Sequence, residues 1–223
     1  MEIQPIAHFE SPFTTKFGIP RQSGLVPDLT GRIVFAPEYR QMDAVRGIDG
    51  FDYLWLVWEF SANRDAEKSL TVRPPRLGGN QRMGVFATRS PFRPNNLGLS
   101  CVKFDRVEND PKLGPVIYVR GADLMDGTPI YDIKPYIPYA DAHPDARGGF
   151  TDNNDWQPLE VIIPEEIANT FSPTELSSLR GVLSQDPRPQ YHNDPNRIYG
   201  MPFAGRDVKF KVNGNILTVH NIF

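Results

Sequence analysis

Short apolar runs, separated again and again by clusters of Gly, Pro, Asn and Asp, set the first limit on what this chain can fold into. The candidate runs are residues 3–9, 32–36, 51–60, 84–88, 99–107, 116–120 and 129–137. Several are rich in Val, Ile, Tyr, Phe and Trp, which suit a pleated, half-buried surface, and the clusters between them supply turns. Few stretches here sustain a helical period. Regularly spaced short strands fit a closed or sandwich-like, mainly β architecture and argue against alternating βαβ units. Residues 51–60 (Phe51-Asp52-Tyr53-Leu54-Trp55-Leu56-Val57-Trp58-Glu59-Phe60) are almost continuously apolar. They predict a central strand covered on both faces, its aromatics serving the core.

The character changes after about residue 141. Residues 143–158 are polar, with Gly, Asp and Asn, and read as a linker or long loop. Ser172-Pro173-Thr174-Glu175 is a capping-box pattern with proline at the first helical position, and Leu176, Leu179, Val182 and Leu183 recur at helical spacing. A helix to about Gln185 follows, ended by Asp186-Pro187-Arg188-Pro189. Residues 208–212 and 216–220 flank Asn213-Gly214-Asn215, a hairpin signal. The expected organisation is a β domain over 1–142, a linker over 143–158, and a small C-terminal α+β module over 159–223. The module is below the size that usually folds alone, so it should pack on the main domain.

Composition excludes several functions. With one cysteine no internal disulfide can form, which fits an intracellular, cytoplasmic chain; Cys101, in an apolar run, reads as a small buried side chain. No apolar run approaches the roughly 20 residues that span a bilayer, and the first residues lack a signal-peptide pattern. The four histidines (His8, His143, His192, His220) are dispersed, so no metal is expected. Neither a Walker loop nor a Gly-x-Gly-x-x-Gly after a strand is present, which removes sequence support for a dinucleotide or Rossmann-type methyl-donor site. No candidate nucleophile sits in a recognisable elbow.

The formal net charge of -3 hides a local excess. Between residues 68 and 104 lie Lys68, Arg73, Arg76, Arg82, Arg89, Arg93 and Lys103, without one Asp or Glu. Local charge decides phosphate binding, and guanidinium forks suit phosphates, carboxylates and base edges. Within that segment residues 82–98 read as a strand followed by a loop that presents Arg89, Phe92, Arg93, Asn95 and Asn96. Pro91 and Pro94 fix its backbone, so those side chains are pre-positioned, and Arg, Asn and an aromatic together suit a purine and its phosphates. A second turn-rich segment, 121–136, clusters Asp123, Asp126 and Asp132; a third, 18–24, is a rigid turn carrying Arg21 and Gln22.

Together these segments resemble the TsaA-like (TrmO) family, whose characterised enzymes are tRNA threonylcarbamoyladenosine N6-methyltransferases. The resemblance runs over nearly the whole chain. It is carried by Pro20-Arg21-Gln22, Asp43-Ala44-Val45-Arg46-Gly47, Thr71-Val72-Arg73-Pro74-Pro75-Arg76-Leu77-Gly78-Gly79-Asn80, residues 84–94, residues 126–135 and Gln185-Asp186-Pro187-Arg188-Pro189. One departure is Asn95-Asn96-Leu97-Gly98, where the family usually reads Asn-Pro-Ile-Gly.

The resemblance implies a compact β-barrel that binds S-adenosyl-L-methionine, a homodimer with the site near the subunit interface, and tRNA bearing threonylcarbamoyladenosine as substrate. Donor contacts would fall at Gln22, Ser23, Gly24, Phe60, Ser61, Arg89 and Leu99, and at Leu124, Met125, Asp126, Gly127 and Thr128. RNA-facing residues would be Phe92, Arg93, Asn95, Lys134, Tyr136 and Arg188. Arg89, Arg93, Asn95 and Asp126 are the implied catalytic set. Arg89 or Arg93 would polarise the base and anchor its carboxylate, and a carboxylate such as Asp126 would accept the proton. The competing readings are a non-catalytic RNA-binding barrel, for which the basic segment suffices, and a methyltransferase acting on another small molecule or RNA.

Overall fold

Alternation of inward and outward side chains decides how each apolar run is used, and here it closes a sheet into a barrel. The structure is a computed structural model that describes residues 2–63, 67–74, 81–152, 156–189 and 194–223. The chain runs through β1 (Ala7–Glu10), β2 (Thr30–Phe35) and β3 (Tyr53–Glu59), a short ribbon of β4 (Thr71–Val72) and β5 (Met83–Gly84), then β6 (Leu97–Asp110), β7 (Gly114–Arg120) and β8 (Thr128–Pro135). Six strands pair antiparallel in the order β1-β2-β7-β6-β3-β8, and β8 returns to β1 to close the barrel. Phe9, Ile33, Leu54, Leu56, Val102, Ile117 and Ile130 fill it.

Three expectations need correcting. Residues 51–60 are not covered on both faces: Leu54, Leu56 and Trp58 are buried, whereas Tyr53, Trp55, Val57 and Glu59 alternate with them on the outer face. One buried face is all an antiparallel sheet requires. Trp55 Nε1–H donates to Asp141 Oδ2 at 3.0 Å, tying β3 to α1 (Pro138–Asp141). Asp141 also accepts the Ile137 amide at 2.8 Å, and that amide and the indole hold its carboxyl below the usual range. Cys101 pairs with Trp55 on the same outer face and is half-buried, enough for desolvation to push its thiol up. Finally, residues 84–88 do not continue as a strand. Only Met83 and Gly84 pair, with Val72 and Thr71, and residues 85–87 then tighten into a 3-10 turn. Thr88 closes that turn by donating both its amide (3.1 Å) and its hydroxyl (2.9 Å) to the Val85 carbonyl.

Beyond α1 the C-terminal residues form β9 (Glu160–Ile162), α2 (Glu165–Ala168), α3 (Pro173–Ser184), β10 (Tyr199–Phe203), β11 (Arg206–Asn213) and β12 (Ile216–Ile222). Their sheet has the order β10-β11-β12-β9, with β9 parallel to β12. Helix α3 starts at the expected capping box: Ser172 Oγ accepts the Glu175 amide and Glu175 Oε2 accepts the Ser172 amide at 2.9 Å. The hairpin register pairs Asn213 with Ile216, so the two-residue loop is Gly214-Asn215, with Gly214 at φ 59 as a type II′ turn requires.

The core of this module includes residues from the barrel's own β1–β2 connection. Phe13, Val26 and Leu29 are buried among Leu179, Leu183, Met201, Phe203 and Phe210. Ser177 Oγ donates to Asp28 Oδ2 at 2.6 Å and Ser178 Oγ to the Asp28 carbonyl at 2.7 Å. Phe13→Ala should therefore cost about 3–5 kcal/mol in urea unfolding, as core Phe truncations do. Ser172→Ala, which removes only a cap, should cost about 1 kcal/mol. A Phe13→Ala loss no larger than that of the cap variant would show that the loop is not part of a shared core.

Candidate active site

One end of the barrel opens into a cleft of about 1630 Å³. A pocket for one small ligand usually measures about 300–1,000 Å³, so this one has room for a cofactor and a nucleotide together. Its floor is the end of β3 (Trp58, Glu59) and the start of β6 (Leu97 to Leu99); its walls are residues 19–22, residues 86–93, the β4–β5 ribbon, and Asp123, Met125 and Thr128. Gly148, Gly149, Phe150 and Thr151 from the expected linker supply a further wall. Gly98 lies flat against the Trp58 indole, where any Cβ would collide with the ring, so the floor depends on glycine there.

The cleft is basic. Among the described residues, Lys16, Arg21, Arg73, Arg82, Arg89 and Arg93 line it against two carboxylates, Glu59 and Asp123. Arg89 Nη1 donates to Gln22 Oε1 at 2.5 Å, and Gln22 Nε2 donates to the Arg21 carbonyl at 2.6 Å. The first bond joins the loop before β6 to the β1–β2 connection, and the second holds Gln22 within that connection. Arg93 lines the same cleft, yet its Nη1 donates to the Thr88 carbonyl at 2.8 Å and to that of Val85 at 3.4 Å. It therefore shapes the loop 85–93 from within while leaving other donors of its fork for a ligand.

Several residues implied by the resemblance meet here: Gln22, Phe60, Ser61, Arg89, Phe92, Arg93, Leu99, Met125 and Thr128 all line the cleft. Ser23 is present through its amide, which hydrogen-bonds Asp123. Gly24, at φ 83, donates its amide to the Gly121 carbonyl at 2.8 Å. The stretch 123–128 alternates. Asp123 and Met125 face the cleft, Leu124 is buried in the barrel core, and Asp126 is exposed with its Oδ1 accepting the Ser11 amide at 3.0 Å. Asp126 is thus a turn-holding carboxylate outside the cleft lining, because the backbone turns its side chain toward the end of β1. Gly127, at φ 73, completes the turn by donating to the Phe9 carbonyl at 2.8 Å. Asn95 is exposed beside the cleft and does not line it.

Three others lie elsewhere in the chain. Lys134 pairs across from Trp55 and bonds Asp132 at 2.8 Å, and Tyr136 packs its ring 6.0 Å from that of Trp55. Trp55 is three residues before Trp58, so these groups sit about 10 Å or more down the strand from the cleft floor. Arg188 is locked to Asp186 through two bonds of 2.8 and 2.9 Å, its side chain 12% exposed. Asp186 and Gln185 instead border a small cavity of about 120 Å³ with Lys16, Ile19 and Arg21.

Sequence reasoning passed over a buried network in the cleft wall. Trp58 Nε1–H donates to Ser100 Oγ at 2.9 Å, and Ser100 Oγ–H donates to Asp123 Oδ1 at 2.5 Å. Desolvation pushes the Asp123 carboxyl above its usual range, opposed by the Ser100 hydroxyl, backbone amides and the Arg89 charge. The serine lies in an apolar strand and the tryptophan in an apparent core run, so neither stood out. The signal available was a polar residue at an inward register position of β6, which demands a buried partner.

A closed antiparallel barrel with a basic, multi-loop cleft at one end defines a class of β-barrel protein whose site is suited by charge to an anionic ligand. Two family models identify it more closely: the tRNA-methyltransferase O N-terminal domain matches residues 8–142, and the TrmO C-terminal domain matches residues 157–223. The chain belongs to the TrmO family. The Escherichia coli protein named tRNA (adenine(37)-N6)-methyltransferase is 37% identical over 219 residues, covering 95% of this chain and 93% of that protein. A Pseudomonas aeruginosa protein named as a putative S-adenosylmethionine-dependent methyltransferase, RcsF, is 38% identical over 213 residues, 92% of this chain and 90% of its own length. The crystal structure of TrmO from Pseudomonas aeruginosa superposes with a TM-score of 0.80 at 31% identity, covering 100% of this chain and 98% of that one.

A raised carboxyl pKa has a stability consequence of definite sign. The folded protein holds the Asp123 proton more tightly than the unfolded chain does. Stability is therefore full below the ordinary carboxylate range and falls as pH rises through the raised folded value. Asp123→Asn keeps an oxygen for Ser100 and deletes the partly buried charge. Its melting temperature should exceed that of the wild type at about pH 8, with the difference shrinking toward about pH 4. An equal or reversed difference in differential scanning calorimetry at the two pH values would contradict this account.

Proposed function

We propose that this protein is an S-adenosyl-L-methionine-dependent tRNA methyltransferase that N6-methylates threonylcarbamoyladenosine at position 37, beside the anticodon. The observation that carries the reading is the basic cleft, large enough for donor and nucleotide, in a chain of the TrmO family. The relative from Escherichia coli carries the adenine-37 N6-methyltransferase name, and that from Pseudomonas aeruginosa the S-adenosylmethionine dependence.

The residues present fit such a donor. Phe60, Leu99 and Met125 offer apolar walls for a flat base, and the Ser61 and Thr128 hydroxyls lie among them for a ribose. Ser23, Gly24 and residues 124–127 contribute through backbone and turn geometry. When bound, the donor supplies an activated methyl group. The chain's own part is to hold the acceptor nitrogen in line, shed water and take a proton. Arg89 and Arg93 face the anionic substrate, Phe92 offers a stacking surface and Asn95 a contact at the rim; these four form the proposed recognition edge.

The same reading extends to assembly and location. Trp55, Val57, Leu99 and Cys101 form an apolar outer face on β3 and β6, where barrel exteriors are ordinarily polar. Leu99, 56% exposed, belongs to both that face and the cleft. A second copy covering it, in a homodimer, would border the site, and Lys134 and Tyr136 would reach a cleft only across that interface. Arg188 is assigned to the RNA side by the family resemblance. The domain division proposed is 1–142, 143–158 and 159–223, with the linker contributing a cleft wall. Among the described residues no helix is long and apolar enough to cross a membrane, and a tRNA substrate points to the cytoplasm.

The direct test is incubation with donor and tRNA that carries threonylcarbamoyladenosine, followed by nucleoside mass spectrometry. The expected product is N6-methyl-threonylcarbamoyladenosine. No incorporation, together with RNA binding and no donor heat in calorimetry, would favour a non-catalytic RNA-binding barrel. Transfer to another acceptor alone would favour a different substrate. Arg93→Ala should lower kcat/KM by about 10²-fold, because losing its bonds to Thr88 and Val85 lets the loop shift; an unchanged kcat/KM would remove Arg93 from the site.

A further inference from the structure

We infer that Asp123 is the group that takes the proton from the acceptor nitrogen during methyl transfer, and that Ser100 and Trp58 are its positioning pair; this rests on the methyltransferase reading above.

Two carboxylates line the cleft among the described residues, and they are held differently. Glu59 sits at an outer register position of β3 and accepts the Tyr131 hydroxyl at 2.8 Å. Asp123 follows β7 at the point where Gly121 is fixed to the β1–β2 connection from both sides. The Gly121 amide donates to the Leu29 carbonyl and its carbonyl accepts the Gly24 amide, each at 2.8 Å. The carboxylate is thereby carried on an immobilised backbone into the cleft wall.

Its hydrogen-bonding is directional. A serine hydroxyl has one hydrogen. The Trp58 indole donates to Ser100 Oγ at 2.9 Å, so the hydroxyl hydrogen is left to point at Asp123 Oδ1, 2.5 Å away. Trp58 in turn cannot swing, because its ring is clamped by Gly98 on one side and packs on Phe60 with centroids 4.3 Å apart. A hydrogen-bonded chain of this kind fixes the orientation of one carboxylate oxygen. Among the described residues, the other charged groups lining the cleft are Glu59 from β3, Arg89 and Arg93 from the loop before β6, and Lys16 and Arg21 from the β1–β2 connection, with Arg73 and Arg82 flanking the ribbon. The Arg89 charge favours the ionised form of Asp123.

The chemistry needs such a group. As the bond between methyl carbon and N6 forms, the carbon–sulfur bond breaks and the sulfonium leaves as a neutral thioether. The nitrogen, briefly four-bonded and positive, gives its hydrogen to the Asp123 carboxylate, which becomes a carboxylic acid. Water at the open mouth of the cleft then removes that proton. A nitrogen in a urea-like group is a weak nucleophile, so a base with proton affinity above that of an exposed carboxylate is the better match. Burial gives Asp123 that property, and the Ser100 bond keeps it from rising further.

The test compares single-turnover methylation of threonylcarbamoyladenosine-bearing tRNA, its pH profile, and donor binding by calorimetry in wild type and variants. Asp123→Asn should lower the rate by about 10²–10⁴-fold and still bind donor, which also certifies its fold. The wild-type acidic limb should lie above the ordinary carboxylate range. Ser100→Ala and Trp58→Phe should move that limb to higher pH, since each weakens a bond that favours the carboxylate; a merely structural role would lower the rate without moving it. Glu59→Gln should leave the limb in place. The inference is overturned if Asp123→Asn methylates at the wild-type rate, if it loses donor affinity (the carboxylate then holds donor and not the proton), or if Ser100→Ala leaves the limb unmoved. An inactive wild type takes down the functional reading itself, and this inference with it.

Discussion

The connection between β1 and β2 is held from two sides at once, and the rest of the molecule depends on it. Phe13, Val26 and Leu29 are sealed into the core of the C-terminal module, while residues 19–22 between them face the cleft. A loop in an isolated barrel would be free to move, because connections carry few buried contacts of their own. Here the module's helix α3 bonds Asp28 from above and the Gly24 amide bonds Gly121 from below. The module, too small to be secure alone, gains a core from the barrel, and the barrel gains a rigid wall for its site. The two family-model matches over 8–142 and 157–223 therefore describe parts that share side chains as well as a covalent link.

Charge is distributed with the same economy. The chain as a whole is slightly acidic, yet among the described residues the cleft gathers six cations against two acids. Several acids outside it are spent on neutralising structural arginines. Asp105 is flanked by Arg106 and Arg120, and Asp186 holds Arg188. Arg89 and Arg93 are paired with an amide oxygen and with carbonyls, which orient a guanidinium without cancelling its charge. A site for an anionic ligand needs that distinction. An arginine already matched with a carboxylate has little field left to offer.

What the sequence made legible follows from which physical rule was at stake. The barrel strands were visible because alternation and turn chemistry are local, and so were the α3 capping box and the final hairpin. The Arg89–Arg93 loop was visible because prolines and an uninterrupted run of positive charge mark it. Three things were not. Whether β3 had one covered face or two depends on neighbours that no local pattern encodes. That Asp123 faces the cleft while Asp126 holds the end of β1 depends on side-chain directions along the turn, which the sequence pattern does not encode. The role of residues 148–151 as a cleft wall was hidden by a composition indistinguishable from an ordinary linker. Lys134, Tyr136 and Arg188 were carried by resemblance alone, and their positions answer to strand register and to Asp186 rather than to the cleft.

Trp58 shows why site and core cannot be separated here. Its indole fills the end of the barrel, so by burial it counts as a packing residue. Its one polar atom, however, sets the orientation of Ser100 and through it an oxygen of Asp123. A phenylalanine could fill much of the same space but would return to the serine a choice of hydrogen-bond partners. The glycine at position 98 is required for the same reason, since a side chain there would displace the indole and unthread the network. Side chains that a core would tolerate in many combinations are thus narrowed to one arrangement by a carboxylate that the core, left to itself, would be more stable without.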